Sequence, residues 1–142
     1  MSTLSRTIYR IAAWLFVVGV TVQVFLAGMV VVAGQWGWDR HISLGHTLGL
    51  PLLVMLVTAY TGRLPRRLKW LTWALFLVYI LQADVIIFLR GSAPVLSAFH
   101  PVLALIDFAL AITLAVRVGA LTYPASGDES LQIETAVSSG EI

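Results

Sequence analysis

Four long apolar stretches dominate this chain, at about 9–33, 42–61, 70–89 and 100–118. A helix rising ~1.5 Å per residue needs ~20 residues to cross ~30 Å of hydrocarbon, and each stretch is close to that length. Backbone amides in lipid are satisfied only by helices or closed barrels. These stretches lack the strict alternation of barrel strands. The sequence therefore predicts an all-α fold, a four-transmembrane-helix bundle over residues 1–122, followed by a polar, acidic tail over 123–142. Composition agrees. The 142 residues are 59% hydrophobic and 11% charged, where soluble domains carry roughly 45–50% and 25%. Mean hydropathy is +0.92.

Arg6 and Arg10 ahead of the first stretch imitate a secretory signal, but its apolar core exceeds the ~7–15 residues of such a peptide, so a retained span is expected. Tyr9, Trp14, Trp36, Trp38, Tyr60, Trp70 and Trp73 fall near the expected borders, where amphipathic rings prefer to sit. Basic residues set the orientation. Arg6, Arg10, Arg63, Arg66, Arg67, Lys69 and Arg117 lie on one side, against Arg40 and Arg90 on the other. Basic loops stay inside, so both termini and the 63–69 loop are expected in the cytoplasm. The tail holds Asp128, Glu129, Glu134 and Glu141, four of the chain's seven acids, and is expected to be flexible or to order only on a partner.

A formal charge of +2 confined to helix ends is not the footprint of a nucleic-acid binder. The absence of cysteine excludes disulfides, thiolate metal sites and covalent c-type haem attachment.

Sliding the sequence against itself by 59 residues pairs Arg10 with Lys69, Trp14 with Trp73, Gln23 with Gln82, His41 with His100, Leu44 with Leu103, and Pro65 with Pro124. Tryptophan, glutamine and histidine are scarce here, so their coincidence at one offset points to a tandem two-helix repeat. Its halves would be related by an axis along the membrane normal. His41 and His100 would then lie at matching heights near the outer ends of spans two and four.

Polar residues inside spans are costly and often mark function. They crowd into the outer half: His41, His46, His100, Gln82, Asp84 and Asp107, the last on the same helix face as His100 seven residues away, while Gln23 lies near mid-membrane. His41 and His46 are five apart and diverge by roughly 140°, so they do not form a two-histidine metal face on one helix. One histidine of span two, either His41 or His46, can instead face His100 across the bundle. Facing side chains are how bundles hold cofactors, and neutral imidazoles serve as axial ligands of a b-type haem. Arg40 and Arg90 are the only basic residues on that side and suit haem propionates. Trp36 and Trp38 would roof the site.

Plainer roles compete with these. A histidine at a membrane border is most often an interfacial residue bonded to a loop carbonyl or water. Glutamines in spans act as interhelical glue worth ~0.6 kcal/mol. Arg40 beside Asp39 suits an exposed pair worth ~0–1 kcal/mol. Asp84 and Asp107 demand more explanation, since a carboxylate at that depth costs ~2.5–3.5 kcal/mol unless paired or protonated. Pro51 is expected to kink span two. Gly45 and Gly49 give that span a smooth strip for close approach.

The stretches DRHISLGHTLGLPLL (39–53), RLPRR (63–67), LQAD (81–84) and FHPVLAL (99–105) resemble a family of small, mostly bacterial four-span membrane proteins of unknown function. The likeness covers roughly residues 6–118. His41 with Gly45, Gln82, and His100 with Pro101 map onto that family's pattern, which implies a bacterial cytoplasmic membrane. The H-x-x-x-G and H-P-x-x-A-L elements also resemble ligand helices of four-helix haem membrane proteins such as one half of haem A synthase.

Three functions are compatible with these features. One is a haem b protein for electron transfer or haem handling, with His41 or His46 opposite His100 and a redox partner. Another is a cofactor-free accessory subunit of a larger membrane complex. The last is a proton or quinone site built on His46, Asp84 and Asp107. No hydrolase triad context or phosphate-binding glycine loop is present, and an enzyme acting on its own is not expected.

Overall fold

The computed structural model describes residues 2–122, which form helices and short connections, with no strands among them. The expected tail, 123–142, lies outside the described residues. Helix α1 covers Ser2–Val31, α2 Asp39–Thr47, α3 Gly49–Thr61 and α4 Arg66–Ile80. A π-helical turn, Leu81–Val85, continues α4 into α5 (Ile86–Phe88) and a 3₁₀ turn, Leu89–Gly91. Helix α6 (Pro94–Ser97) is a short prelude to α7 (His100–Thr122). Grouped by continuity, they make four helices long and apolar enough to span a membrane: Thr3–Val31, Asp39–Thr61, Arg66–Gly91 and Pro94–Thr122. Each runs past the apolar stretch at one end or both, because hydrogen bonding carries a helix into polar flanks that hydropathy does not count.

Span one packs on spans two and four, and span three packs on the same two, closing a four-membered ring. The short links make neighbours antiparallel. Positive backbone angles turn the chain at Gly34 (φ 63°), Trp36 (φ 62°) and Arg63 (φ 51°). The outward faces carry Val24, Phe25, Leu53, Leu77, Leu105 and Val116, all exposed and apolar, as a lipid environment requires. The fold is that of a multi-pass membrane protein.

The 59-residue offset reappears in the packing. Phe16 and Leu75, Leu52 and Ala111, Met55 and Leu114, and Ala59 and Val118 are offset mates, and all eight are fully buried. Ring order is preserved when spans one and two are exchanged for three and four. The two halves thus bury the same register, and a pseudo-twofold axis runs along the bundle.

Two irregularities interrupt the spans. Span two breaks at Leu48, between α2 and α3. Pro51 explains this, for it has no N–H to donate and its ring crowds the carbonyl four residues back, that of Thr47. Across the break, the Tyr79 hydroxyl donates to the Gly45 carbonyl at 2.7 Å and approaches that of His46 at 3.4 Å. Span three widens at the π turn, which contains both Gln82 and Asp84.

Tyr9, expected at the interface, is instead fully buried. Its hydroxyl meets Thr72 Oγ1 at 2.7 Å, and Thr72 donates onward to the Leu68 carbonyl. A partner hydroxyl within the bundle lets this phenol leave the border. Trp70, Tyr60 and Trp73 remain exposed. Arg6 ties the same end together, donating to the Gly62 carbonyl at 3.0 Å and the Leu121 carbonyl at 3.3 Å, at the C-terminal ends of spans two and four. A cation is favoured there by the helix dipoles.

Core density is uneven. The fully buried apolar side chains lie between Tyr9 and Phe16 of span one, and from Leu52, Leu75 and Ala111 toward the Arg6 end in the other spans. Beyond them, toward the histidines, residues 26–30 are only half-buried and 31–40 are exposed.

Candidate functional site

At the loosely packed end, the His41 and His100 rings meet near the pseudo-twofold axis with centroids 6.1 Å apart and planes at 62°. Both are half-buried. Each is held in the same way. His41 Nδ1 lies 3.1 Å from the Gln23 carbonyl oxygen, and His100 Nδ1 lies 2.9 Å from that of Gln82. Both bonds reach back 18 residues, from a histidine on one span to the carbonyl of the preceding span. A carbonyl only accepts, so each Nδ1 carries a proton, and in the neutral ring the lone pair is then on Nε2. Such second-partner bonds fix ring and tautomer in metal-binding histidines.

The π turn helps explain how Gln82 serves His100. Inserting one residue shifts the local ladder from i→i−4 to i→i−5 and loosens the carbonyls around it, as the Ile86 amide bonding to Leu81 shows.

Trp38 stacks edge-on against His41, with centroids 5.5 Å apart. Trp36 stacks on Phe25 and carries the Arg40 guanidinium 4.4 Å above its ring. Arg40 thus uses an aromatic face as a partner. Arg90 is exposed on the 3₁₀ turn at the same end.

His46 takes no part in the pair. Its side chain is exposed, with Nε2 3.8 Å from Asp84 Oδ1, on the flank between spans two and three. The divergence of roughly 140° from His41 means that only one of the two could turn inward, and His41 does. Asp107 is separate again, fully buried and faced by the Gln82 side chain. The set His46, Asp84 and Asp107 is therefore split between the flank and the interior, with Tyr79 in electrostatic reach of both carboxylates.

Among the described residues, four buried side-chain oxygens have no well-formed hydrogen bond: Oε1 of Gln23, Oε1 of Gln82, and both carboxyl oxygens of Asp107. Gln23 lies against Gly45, where even a methyl group would stand 2.7 Å from its Nε2. The glycine is what admits the glutamine. Tyr79 as a cap on the helix break, and Tyr9 with Thr72, were not readable as polar contacts from sequence. The lone clue was a tyrosine or threonine inside a span.

Among the described residues no three or more His, Cys, Asp or Glu side chains converge as a metal site. A bare structural or catalytic zinc needs three or four protein ligands. The arrangement offers two imidazoles, those of His41 and His100.

The site and fold define a small four-span membrane protein with a twofold-related histidine pair. Residues 23–87 match a protein family of unknown function, DUF6220. That region runs from Gln23 through His41 to Asp84, and is narrower than the likeness read from the motifs. No curated protein and no solved structure matches the chain, so the likeness to haem A synthase rests on its short motifs alone.

Proposed function

We propose that the protein binds one b-type haem between His41 and His100, near the outer face of the membrane, for electron transfer or haem handling. The observation that carries this is the paired imidazoles, each fixed through Nδ1 with Nε2 free. The two rings lie side by side, with centroids 6.1 Å apart, so His41 and His100 would be the residues that hold the group. Bound between them, the haem would supply one-electron chemistry at iron.

The chain's own residues do the rest. The Gln23 and Gln82 carbonyls keep both rings in the ligating tautomer. Trp38 limits the swing of His41. Arg40 and Arg90, the basic residues of this end, are available to the propionates. The stretch 26–30 is half-buried and the loop above it exposed at the histidine end, while the Tyr9 end is densely packed.

The positive-inside distribution supports placing this end outside, with both termini in the cytoplasm. The resemblance read from the motifs supports a bacterial cytoplasmic membrane as the setting.

The test is the absorption spectrum of the full-length protein purified from haem-replete cells. A haem band in wild type, lost in His41→Ala and in His100→Ala and kept in His46→Ala, is expected. A colourless wild-type protein that copurifies stoichiometrically with a larger complex would overturn the haem reading in favour of an accessory subunit.

A further inference from the structure

The protein's own repeat supplies a control for one residue. At the 59-residue offset Leu48 falls on Asp107, and both are buried. In one half this place in the bundle is filled by an apolar side chain lying over Gly19. In the other it is filled by a carboxyl group, the one charged-type side chain buried among the described residues. A leucine closes the first half, so the acid is not what closing such a bundle requires.

The surroundings show what the acid lacks. The Gln82 side-chain amide lies beside Asp107 and can donate an N–H to the carboxyl, yet both carboxyl oxygens and Gln82 Oε1 lack a well-formed hydrogen bond. What Gln82 Oε1 lacks is a hydrogen. One proton on the carboxyl, donated to Gln82 Oε1, satisfies both residues at once. The other groups around Asp107 do not serve. Span one carries Gln23, which lies against Gly45, and span two carries Leu48, which lies over Gly19, and His41, which is bonded to the Gln23 carbonyl. Span three presents Tyr79, whose hydroxyl is already given to the Gly45 carbonyl, with Asp84 and His46 beyond it on the flank. On its own span His100 lies seven residues outward.

Gln82 faces two ways. Its main-chain oxygen holds His100 Nδ1, and its side chain faces Asp107. We infer that Asp107 is a proton-binding site, its carboxyl holding one proton against Gln82 Oε1, and that through Gln82 it senses charge installed at the histidine pair. The sensing half rests on the haem reading above; the proton site does not.

Infrared spectroscopy of the full-length protein in lipid nanodiscs reads the carboxylic-acid C=O stretch directly, in light and heavy water, before and after adding haemin. At neutral pH wild type should show an acid band that moves in heavy water, disappears in Asp107→Asn, survives Asp84→Asn and shifts in Gln82→Leu. A carboxylate spectrum, or an acid band that survives Asp107→Asn, overturns the proton site. Asp107→Leu should melt no lower than wild type; a collapse of its fold, with Asp107→Asn intact, would make the acid a packing element instead. Haemin should shift the band in wild type and leave it unmoved in His100→Ala. Haemin that binds without moving the band overturns the sensing, and haemin that fails to bind overturns the haem reading while the acid band still decides the proton site.

Discussion

The hydroxyl of Tyr79 reaches across from span three to the carbonyl of Gly45, 2.7 Å away, at the place where span two is broken. A proline interrupts one helix, and a phenol on the next satisfies the backbone there. Tyr79→Phe removes that donor and keeps the ring's edge contact with Phe16. Interhelical hydrogen bonds in membranes average ~0.6 and reach ~1.7 kcal/mol. A loss of about 1 kcal/mol is expected in reversible unfolding in detergent, with faster amide exchange around residues 45–50.

Tyr9 and Thr72 form a second interhelical bond, at the opposite end of the core. A double-mutant cycle of Tyr9→Phe and Thr72→Val isolates it. The coupling should come out favourable, about 0.6 kcal/mol. A coupling of zero would mean that the two hydroxyls do not rely on each other.

Gly19 marks a close approach of spans one and two. Any side chain there runs into the Leu48 methyl groups. Gly19→Val should destabilise by about 1–3 kcal/mol through overpacking, and Leu48→Ala in the same protein should recover part of the loss. Gly28, with open space around it, is the control, and Gly28→Ala should change little.

His46 and Asp84 stand 3.8 Å apart with both side chains largely exposed. Neither touches the paired histidines. His46→Ala is expected to leave any haem spectrum unchanged and to cost under about 1 kcal/mol in detergent, where water reaches the pair.

A chain without cysteine permits a clean orientation test. Ser92→Cys lies in the exposed turn at the histidine end, and Thr61→Cys is exposed at the Arg6 end. An impermeant thiol reagent applied to intact cells should label the first and spare the second. The reverse pattern would invert the proposed topology.

The four spans were legible because twenty apolar residues have few alternatives in lipid, and the 59-residue repeat already set His41 and His100 at one height. The choice between His41 and His46 was not legible. Their spacing says that they diverge, but which turns inward depends on where the Gln23 carbonyl lies. Asp107 read as sharing a helix face with His100, whereas the direction in which Asp84 turns was not legible. A difference of helical phase put Asp84 on the flank and Asp107 in the core. Tyr9 was misplaced because aromatic residues near a border are usually interfacial, and its partner Thr72 lies 63 positions away. The π turn has no composition of its own, so nothing in LQADV announced it.

The uneven core gives the molecule a fixed foot and an adjustable head. Clamped by Arg6, Tyr9 and the layers up to Phe16 and Leu75, the lower bundle keeps the four helices in order whatever happens above. The upper turns, set beyond a proline break in one helix and a widened turn in another, are less buried than those layers. A guest such as the proposed haem would therefore meet the part of the bundle that opens most readily, and amide exchange should be fastest in the very turns that carry the histidines.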